Sequence, residues 1–463
     1  MTDANAPLDA VLSHVDANVD QSLERLFTLL RIASISTDPA YAGECHKAAE
    51  WLTNELQGLD FDSAVRPTPG HPMVVGHQRS DVGPNVLFYG HYDVQPVDPI
   101  ELWTSEPFEP KIGEENGRKV ILARGASDDK GQLMTFIEAC RAYKAVRGTL
   151  PVGVTVLLEG EEESGSPSLD GFLKENAAEL EADIALVCDT DMWDEETPSI
   201  ITMLRGLMAD QVEIQAASRD LHSGMYGNAA RNPNQVLAEI IASLRNPDGS
   251  VAVEGFYDDV PELPAEVAEQ WKRLPFDEKA YLSAVGLSEP AGEKNRSVLE
   301  QITSRPTCEI NGMWGGYTGD GFKTVIPAKA GAKISFRLVG NQDPHKIRKA
   351  FRAHVEARVP ADCTVTFHEH GASPASVVPS DGAMLQKALG ALTDEWGREA
   401  AIAGSGGSIP IVGDFKRKLG MDSLLIGYAQ TDDRIHSPNE KYNLESYHKG
   451  IRSWVRVLDA LSK

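Results

Sequence analysis

The sequence predicts an α/β protein, a mixed sheet covered by helices, with a smaller α+β domain inserted into it. Three observations carry that expectation. Short apolar runs, NVLFYG (85–90), VGVTVLLEG (152–160) and IALVC (184–188), alternate with a helical stretch at 131–146, which is the rhythm of a helix-covered sheet. After Arg205-Gly206 the pattern changes. ADQVEIQAAS (209–218) alternates and sets Val212, Ile214 and Ala216 on one face of a half-exposed strand. Finally, 463 residues leave room for two or three domains with full cores.

In chain order, residues 8–32 carry helical periodicity and open the first domain. The three apolar runs supply its strands, and helix 131–146 turns a stripe of Leu133, Phe136, Ile137 and Cys140 toward them. The second domain then reads as a small βαβαβ unit: strand 209–218, helix 233–244, strand GAKISFRL (331–338), helix 344–358 and strand TVTFHEH (364–370). Ile334, Phe336 and Leu338 face inward. Between its halves, 250–330 is rich in Pro, Gly and charge and reads as an elaborated loop region with one or two helices, including PAEVAEQWKRL. GASPASVVPSDGA (371–383) serves as the return linker. Helix 384–396, strand SLLIGY (423–428) and a helix from about 444 complete the first domain. The expected boundaries are 1–207 and 375–463 for the first domain and 208–374 for the insert.

Composition excludes several function classes. With 44 basic and 69 acidic residues the net charge is -25, which disfavours nucleic acid or an anionic membrane as a partner. The opening stretch has no basic segment followed by an apolar one, and no run reaches the roughly 18 apolar residues of a membrane span. The expected location is the cytoplasm. Five scattered cysteines without a CxxC pair suit reduced thiols there.

The chemistry lies in acidic and histidine residues at five turn-like positions: His91, Asp128, the Glu162-Glu163 pair, Asp189 and His436. Four of these directly follow a strand-like apolar run, where open α/β sheets bind ligands. The set suits a two-metal hydrolytic site, in which ions about 3.5 to 4 Å apart need a bridging carboxylate and terminal ligands on each side. Zinc accepts both imidazole nitrogen and carboxylate oxygen, and manganese or cobalt is compatible. Successive side chains diverge on extended backbone, so one glutamate of the pair can bind metal while its neighbour faces the water. Asp93, two residues after His91, can accept the other imidazole N–H. Asp191 competes with Asp189 as a ligand.

The strings HYDVQPV (from 91), GASDDKG (125), EGEEESGS (159), CDTDMW (188) and RIHSPNEKYN (434) together resemble the dizinc metallopeptidase and amidohydrolase family. That family includes carnosine dipeptidases, aminoacylases, acetylornithine deacetylase and succinyl-diaminopimelate desuccinylase. The resemblance implies a zinc-peptidase-like catalytic domain with an inserted lid and dimerisation domain. It makes Asp128 the bridge between two divalent ions, His91 and Asp189 the other ligands of one, and Glu163 and His436 those of the second. Glu162 is left as general base, and Asp128-Asp129 is implied to be a cis peptide. RDLHSGMYGN matches the string whose histidine, here His222, stabilises the oxyanion across a homodimer. KTVIP and ISFRLVG bring Thr324 and Arg337 to the substrate carboxylate, and GSGGSIP adds Ser408. The nearest branch is the carnosinase-like dipeptidases, acting on small peptides with a free carboxylate. An N-acyl-amino-acid amidohydrolase with the same site is the alternative. One departure bears on that choice, since these relatives usually carry Glu where this chain has Ser405, a position that helps receive a free substrate amine.

Overall fold

The structure, a computed structural model, describes residues 2–80, 83–407 and 410–463. The chain divides into two compact units, Met1–Thr202 with Val378–Ala403 and Asp414–Lys463, and Met203–Val377 with Gly404–Gly413.

The first unit is built on a mixed sheet. Seven of its strands lie in the order Asp62–Arg66, Met73–Gln78, Gly153–Glu159, Asn85–His91, Ile184–Val187, Ser423–Leu425 and Ser199–Leu204. The middle four run parallel, and the flanking strands are antiparallel. Apolar runs without alternation form the centre because both of its faces are covered. Asn85–His91, for instance, is buried from its second residue to its last. On one face Phe136 of helix Lys130–Arg147 stacks on Phe88 at 3.8 Å, and Trp454 of helix Leu444–Leu461 meets the two rings edge-on at 5.4 and 5.8 Å. Each such ring contributes roughly 1.5–3 kcal/mol by leaving water. This cluster holds the helix whose N-terminus follows Asp128-Asp129. The helical stretch at 8–32 is two helices, Leu8–Ala17 and Val19–Leu30, broken where Asn18 leaves helical backbone and donates to the His14 carbonyl at 2.7 Å.

A three-stranded sheet of Lys441–Asn443, Arg118–Leu122 and Lys111–Glu115 adjoins it. Its hairpin turns on Asn116 and Gly117, both at positive φ (52° and 77°), the backbone a tight two-residue turn demands.

The second unit carries a four-stranded antiparallel sheet in the order Thr307–Gly315, Lys329–Leu338, Gly206–Gln215 and Thr364–Ser373. Helices Pro233–Ala242 and Pro344–Glu356 cover one face, each with Pro in its first turn and an Asn232 or Asp343 cap. Met208, Val212, Ile214, Ile334, Phe336 and Leu338 point into that core. Asp210 shares their face and is neutralised by Arg352 at 2.7 and 3.1 Å. The sequence-based βαβαβ unit therefore gains a strand, Thr307–Gly315. Its burial does not alternate and its register slips between Ile310 and Gly312, so it carries little period-two signal. The 250–330 stretch also holds helices Ala265–Arg273, Glu278–Ser283 and Val298–Thr303. Strand Thr364–Ser373 runs on into the expected return linker. Among the described residues, no helix is long and apolar enough to cross a membrane.

Candidate metal centre

Parallel strands deliver the acidic and histidine residues to one end of the first unit's sheet. His91 is the last residue of Asn85–His91, the glutamate pair follows Gly153–Glu159, and Asp189 follows Ile184–Val187. Asp128 precedes helix Lys130–Arg147, and Asp128-Asp129 is a cis peptide. His436 lies in the turn before strand Lys441–Asn443, with φ of 62°.

Two donor groups form, and they share one carboxylate. His91, Asp128 and Asp189 offer one set of ligand atoms, and Asp128, Glu163 and His436 the other, each set lying within 4.8 Å. The two oxygens of Asp128 face different imidazoles, Oδ1 at 3.0 Å from His91 Nε2 and Oδ2 at 2.9 Å from His436 Nε2. Asp189 comes to 4.0 Å of His91 Nε2, and Glu163 Oε2 to 3.2 Å of His436 Nε2. Asp191 enters neither group. Its backbone instead bridges to Ala429 and its carbonyl accepts from Ser199.

A surrounding layer fixes these groups. Asp93 reaches His91 Nδ1 with its carbonyl oxygen at 3.1 Å and its carboxylate at 3.4 Å, and its Oδ2 accepts from the Glu163 N–H at 3.0 Å. Gln95 donates to Glu163 Oε2 at 2.7 Å. Glu440, within the RIHSPNEKYN string, is a further functional residue. Its Oε1 accepts from the N–H groups of Ser127 and Asp128 at 2.9 and 3.0 Å, and its Oε2 from Arg124 Nη1 and the Gly125 N–H at 2.8 and 2.9 Å. Arg124 and Glu440 are almost completely buried, so the loop carrying His436 and the loop carrying Asp128 are locked together through one carboxylate. On its outer side, Arg434 clamps Glu115 of the hairpin at 2.9 Å through both terminal guanidinium nitrogens.

The glutamate pair corrects one expectation. Residues Glu162–Ser164 form a 3-10 turn rather than extended backbone. With three residues per turn, neighbouring side chains still fan roughly 120° apart. Glu163 joins the second donor group, while Glu162 stays outside both.

The electrostatics fit cations. Burial opposes ionisation of Asp128, yet hydrogen bonds from His436 and His91 hold its carboxyl below the usual range. Hydrogen bonds to Asp128 and Glu163 raise His436 to about 10. Burial works against a charged His91, but its bonds to Asp128 and Asp93 raise it well above an ordinary imidazole. Asp189 is pushed well up by burial and the nearby Asp128 charge, and Glu162 is raised by burial. Protein groups alone thus leave Asp189 and Glu162 under-compensated. Divalent ions with mixed nitrogen and oxygen ligands match both the charge and the donor chemistry.

The second unit holds the remaining sequence-predicted residues in two places. His222 and Thr324 are neighbours: His222 pairs with Val325 across a short two-stranded ladder, and the Ser223 N–H donates to the Thr324 carbonyl at 3.1 Å. His222 is exposed, and its Nδ1 accepts from the Gly224 N–H. Arg337 stands on the outer face of the four-stranded sheet and lines a separate cavity. Ser408 lies outside the described residues. Ser405, the departure noted in the sequence, accepts from the Gly407 N–H at 3.2 Å.

Comparison with known proteins settles the family. The description of peptidase family M20/M25/M40 matches residues 87–460. The chain belongs to that family. It is 29% identical over 477 residues to the Cys-Gly metallodipeptidase DUG1 of Saccharomyces cerevisiae, covering 98% of each chain. It is 27% identical over 469 residues to the Beta-Ala-His dipeptidase of Homo sapiens, covering 96% of this chain and 91% of that one. A crystal structure of an M20 family metallo-carboxypeptidase from Sulfolobus solfataricus superposes with a TM-score of 0.76 at 32% identity, covering 95% of this chain and 99% of that one. This M20 protein is accordingly a hydrolase acting on peptide bonds, with the mixed α/β fold class expected from its sequence.

Proposed function

We propose that this M20 protein is a dinuclear metallodipeptidase that cleaves dipeptides and short peptides bearing a free carboxylate. The observation that carries the reading is the pair of donor groups sharing Asp128. Asp128 would serve both divalent ions, with His91 and Asp189 holding one and Glu163 and His436 the other. Zinc suits these donors, with manganese or cobalt compatible. When bound, the ions supply Lewis-acid polarisation of the scissile carbonyl and make a nearby water more acidic.

The chain's own residues do the proton work. Glu162 stands beside the donor groups without belonging to either, and burial raises its pKa toward the range useful to a general base. It takes a proton from the attacking water as the C–O bond forms. It then passes that proton to the leaving amine as the C–N bond breaks. Asp93 holds His91 in its ligating orientation.

We read the second unit as a lid and dimerisation domain. His222 of the partner subunit then donates to the oxyanion, while Arg337, with Thr324 and Ser408, receives the substrate carboxylate. A planar guanidinium suits that group through paired hydrogen bonds. The five free, buried cysteines accord with a reducing, cytoplasmic setting.

The test is a metal-reconstituted screen pairing each dipeptide with its N-acetylated counterpart and following release of the C-terminal amino acid. Cleavage of the free dipeptides is expected. Preference for the acetylated set would move the protein to N-acyl-amino-acid hydrolysis, an alternative that the dipeptidase relatives disfavour. Fewer than one bound ion per chain, with no activity on adding metal, would refute both.

A further inference from the structure

The outer face of the second unit's sheet carries a cavity of about 490 Å³, within the range of small-ligand sites. Strand pairing explains its floor. Arg337 stands opposite Leu207 on one side and Thr307 on the other, and Ser335 opposite Glu309. Side chains alternate along a strand, so these positions share the face turned away from Ile334 and Phe336. Arg205, two positions before Leu207, is the diagonal neighbour of Arg337, at a separation long side chains can span. Much of the remaining wall comes from the 250–330 stretch whose architecture the sequence left open, including Gln301 and Arg305, and Arg245 just before that stretch adds to it.

The charges in this wall are unbalanced. Arg305 is held by Glu293 at 2.8 Å, and Arg245 lies 3.6 Å from Glu309. Arg205 uses Nε on the Gly406 carbonyl at 3.2 Å and Nη1 on the Gln301 carbonyl at 3.4 Å. Among the described residues, no carboxylate stands within ion-pair distance of Arg205 or Arg337. Burial and the Arg337 charge lower Arg205 to about 10, with Glu309 pulling the other way. Two like charges in one partly closed wall are relieved by anions placed between them.

We propose that this cavity is the subsite for an acidic C-terminal residue of the substrate, Arg337 taking its main-chain carboxylate and Arg205 the side-chain carboxylate of glutamate or aspartate. The assignment rests on the carboxylate role proposed for Arg337. One carboxylate would satisfy Arg337 and leave Arg205 unmatched, whereas a residue with two matches both guanidinium groups. The other two arginines already have glutamate neighbours, so no third anion is called for.

The experiment has two arms. Calorimetry on the metal-loaded protein compares L-glutamate with L-glutamine, which replaces the side-chain carboxylate by a neutral amide of similar shape, and kinetics compares Ala-Glu with Ala-Gln. In the wild type, glutamate should bind about tenfold tighter and Ala-Glu should have the higher kcat/KM by a similar factor, as expected for a charge-assisted pair. Arg205→Gln should bring both ratios close to one, and Arg205→Lys should restore part of each. Equal binding of the two amino acids by the wild type, or a ratio that survives Arg205→Gln, overturns the proposal even if a variant folds poorly, since the first result needs no variant. Arg205-dependent glutamate binding without hydrolysis of any dipeptide upholds the subsite and overturns the proposed activity instead.

Discussion

Replacing Glu440 by Gln tests how the metal centre is held. The carboxylate accepts four hydrogen bonds, from Arg124 and from the N–H groups of Gly125, Ser127 and Asp128. An amide keeps one accepting oxygen and turns an NH2 group toward two donors, so two charge-assisted bonds are lost at about 1.5–3 kcal/mol each. The pair is buried, and solvent screening does not discount that loss. A total of about 3–6 kcal/mol, at roughly 2 °C per kcal/mol for a unit of this size, lowers the melting temperature by about 6–12 °C. The one remaining oxygen is drawn to the charged Arg124, so the Ser127 and Asp128 N–H groups are the ones released and the Asp128 position loosens too. Metal affinity should fall by roughly 10–100-fold, as when a supporting contact behind a ligand is removed. The assays are thermal unfolding monitored by circular dichroism and competition for zinc with a fluorescent chelator. A melting point within 1–2 °C of wild type together with unchanged zinc affinity would refute the view that Glu440 anchors Asp128.

Three further outcomes are expected. Glu162→Gln should lower kcat by roughly 10²–10⁴-fold while elemental analysis still finds the wild-type metal content; loss of metal would reassign Glu162 as a ligand. The raised pKa of about 10 at His436 keeps it protonated near pH 7.5 in metal-free protein, and a ligating imidazole must be neutral. Metal binding should therefore release protons and strengthen as pH rises, so the calorimetric enthalpy of zinc binding at pH 7.5 should vary with the buffer's ionisation enthalpy; no variation contradicts the assignment. In Gly131→Ala the new Cβ would fall 1.9 Å from the Ala126 carbonyl oxygen, pushing on the loop that carries Asp128. Destabilisation of about 1–3 kcal/mol with weaker metal retention is expected, and a variant matching wild type in both melting and metal content counts against that packing.

Much of this was legible because chemistry and burial constrain residue types locally. An unbroken apolar run such as NVLFYG marks a strand covered on both faces, and the residues just beyond such runs are where the donor groups assemble. Alternation likewise exposed Gly206–Gln215 and Lys329–Leu338. The edges left weaker marks. Asp62–Arg66 is short and half polar, and the irregular Thr307–Gly315 buries little, so neither shows a clean period. The hairpin Lys111–Leu122 did carry a readable signal, the Asn116-Gly117 dipeptide between strand-like flanks. Glu440 carried none. A buried acid becomes intelligible only beside its arginine, and Arg124 lies 316 positions away in the chain.

The spread of donors along the chain also sets an order of assembly. His91, Asp128, Glu163 and Asp189 belong to the stretch made before the second unit, whereas His436 and Glu440 follow it in the chain. A growing chain can therefore gather the first donor group early, but the second cannot close until the whole inserted unit has been made. During synthesis the centre stays half-built, and a truncated product ending before His436 would carry nearly all the sheet yet lack both the second imidazole and the carboxylate that ties its loop to Asp128.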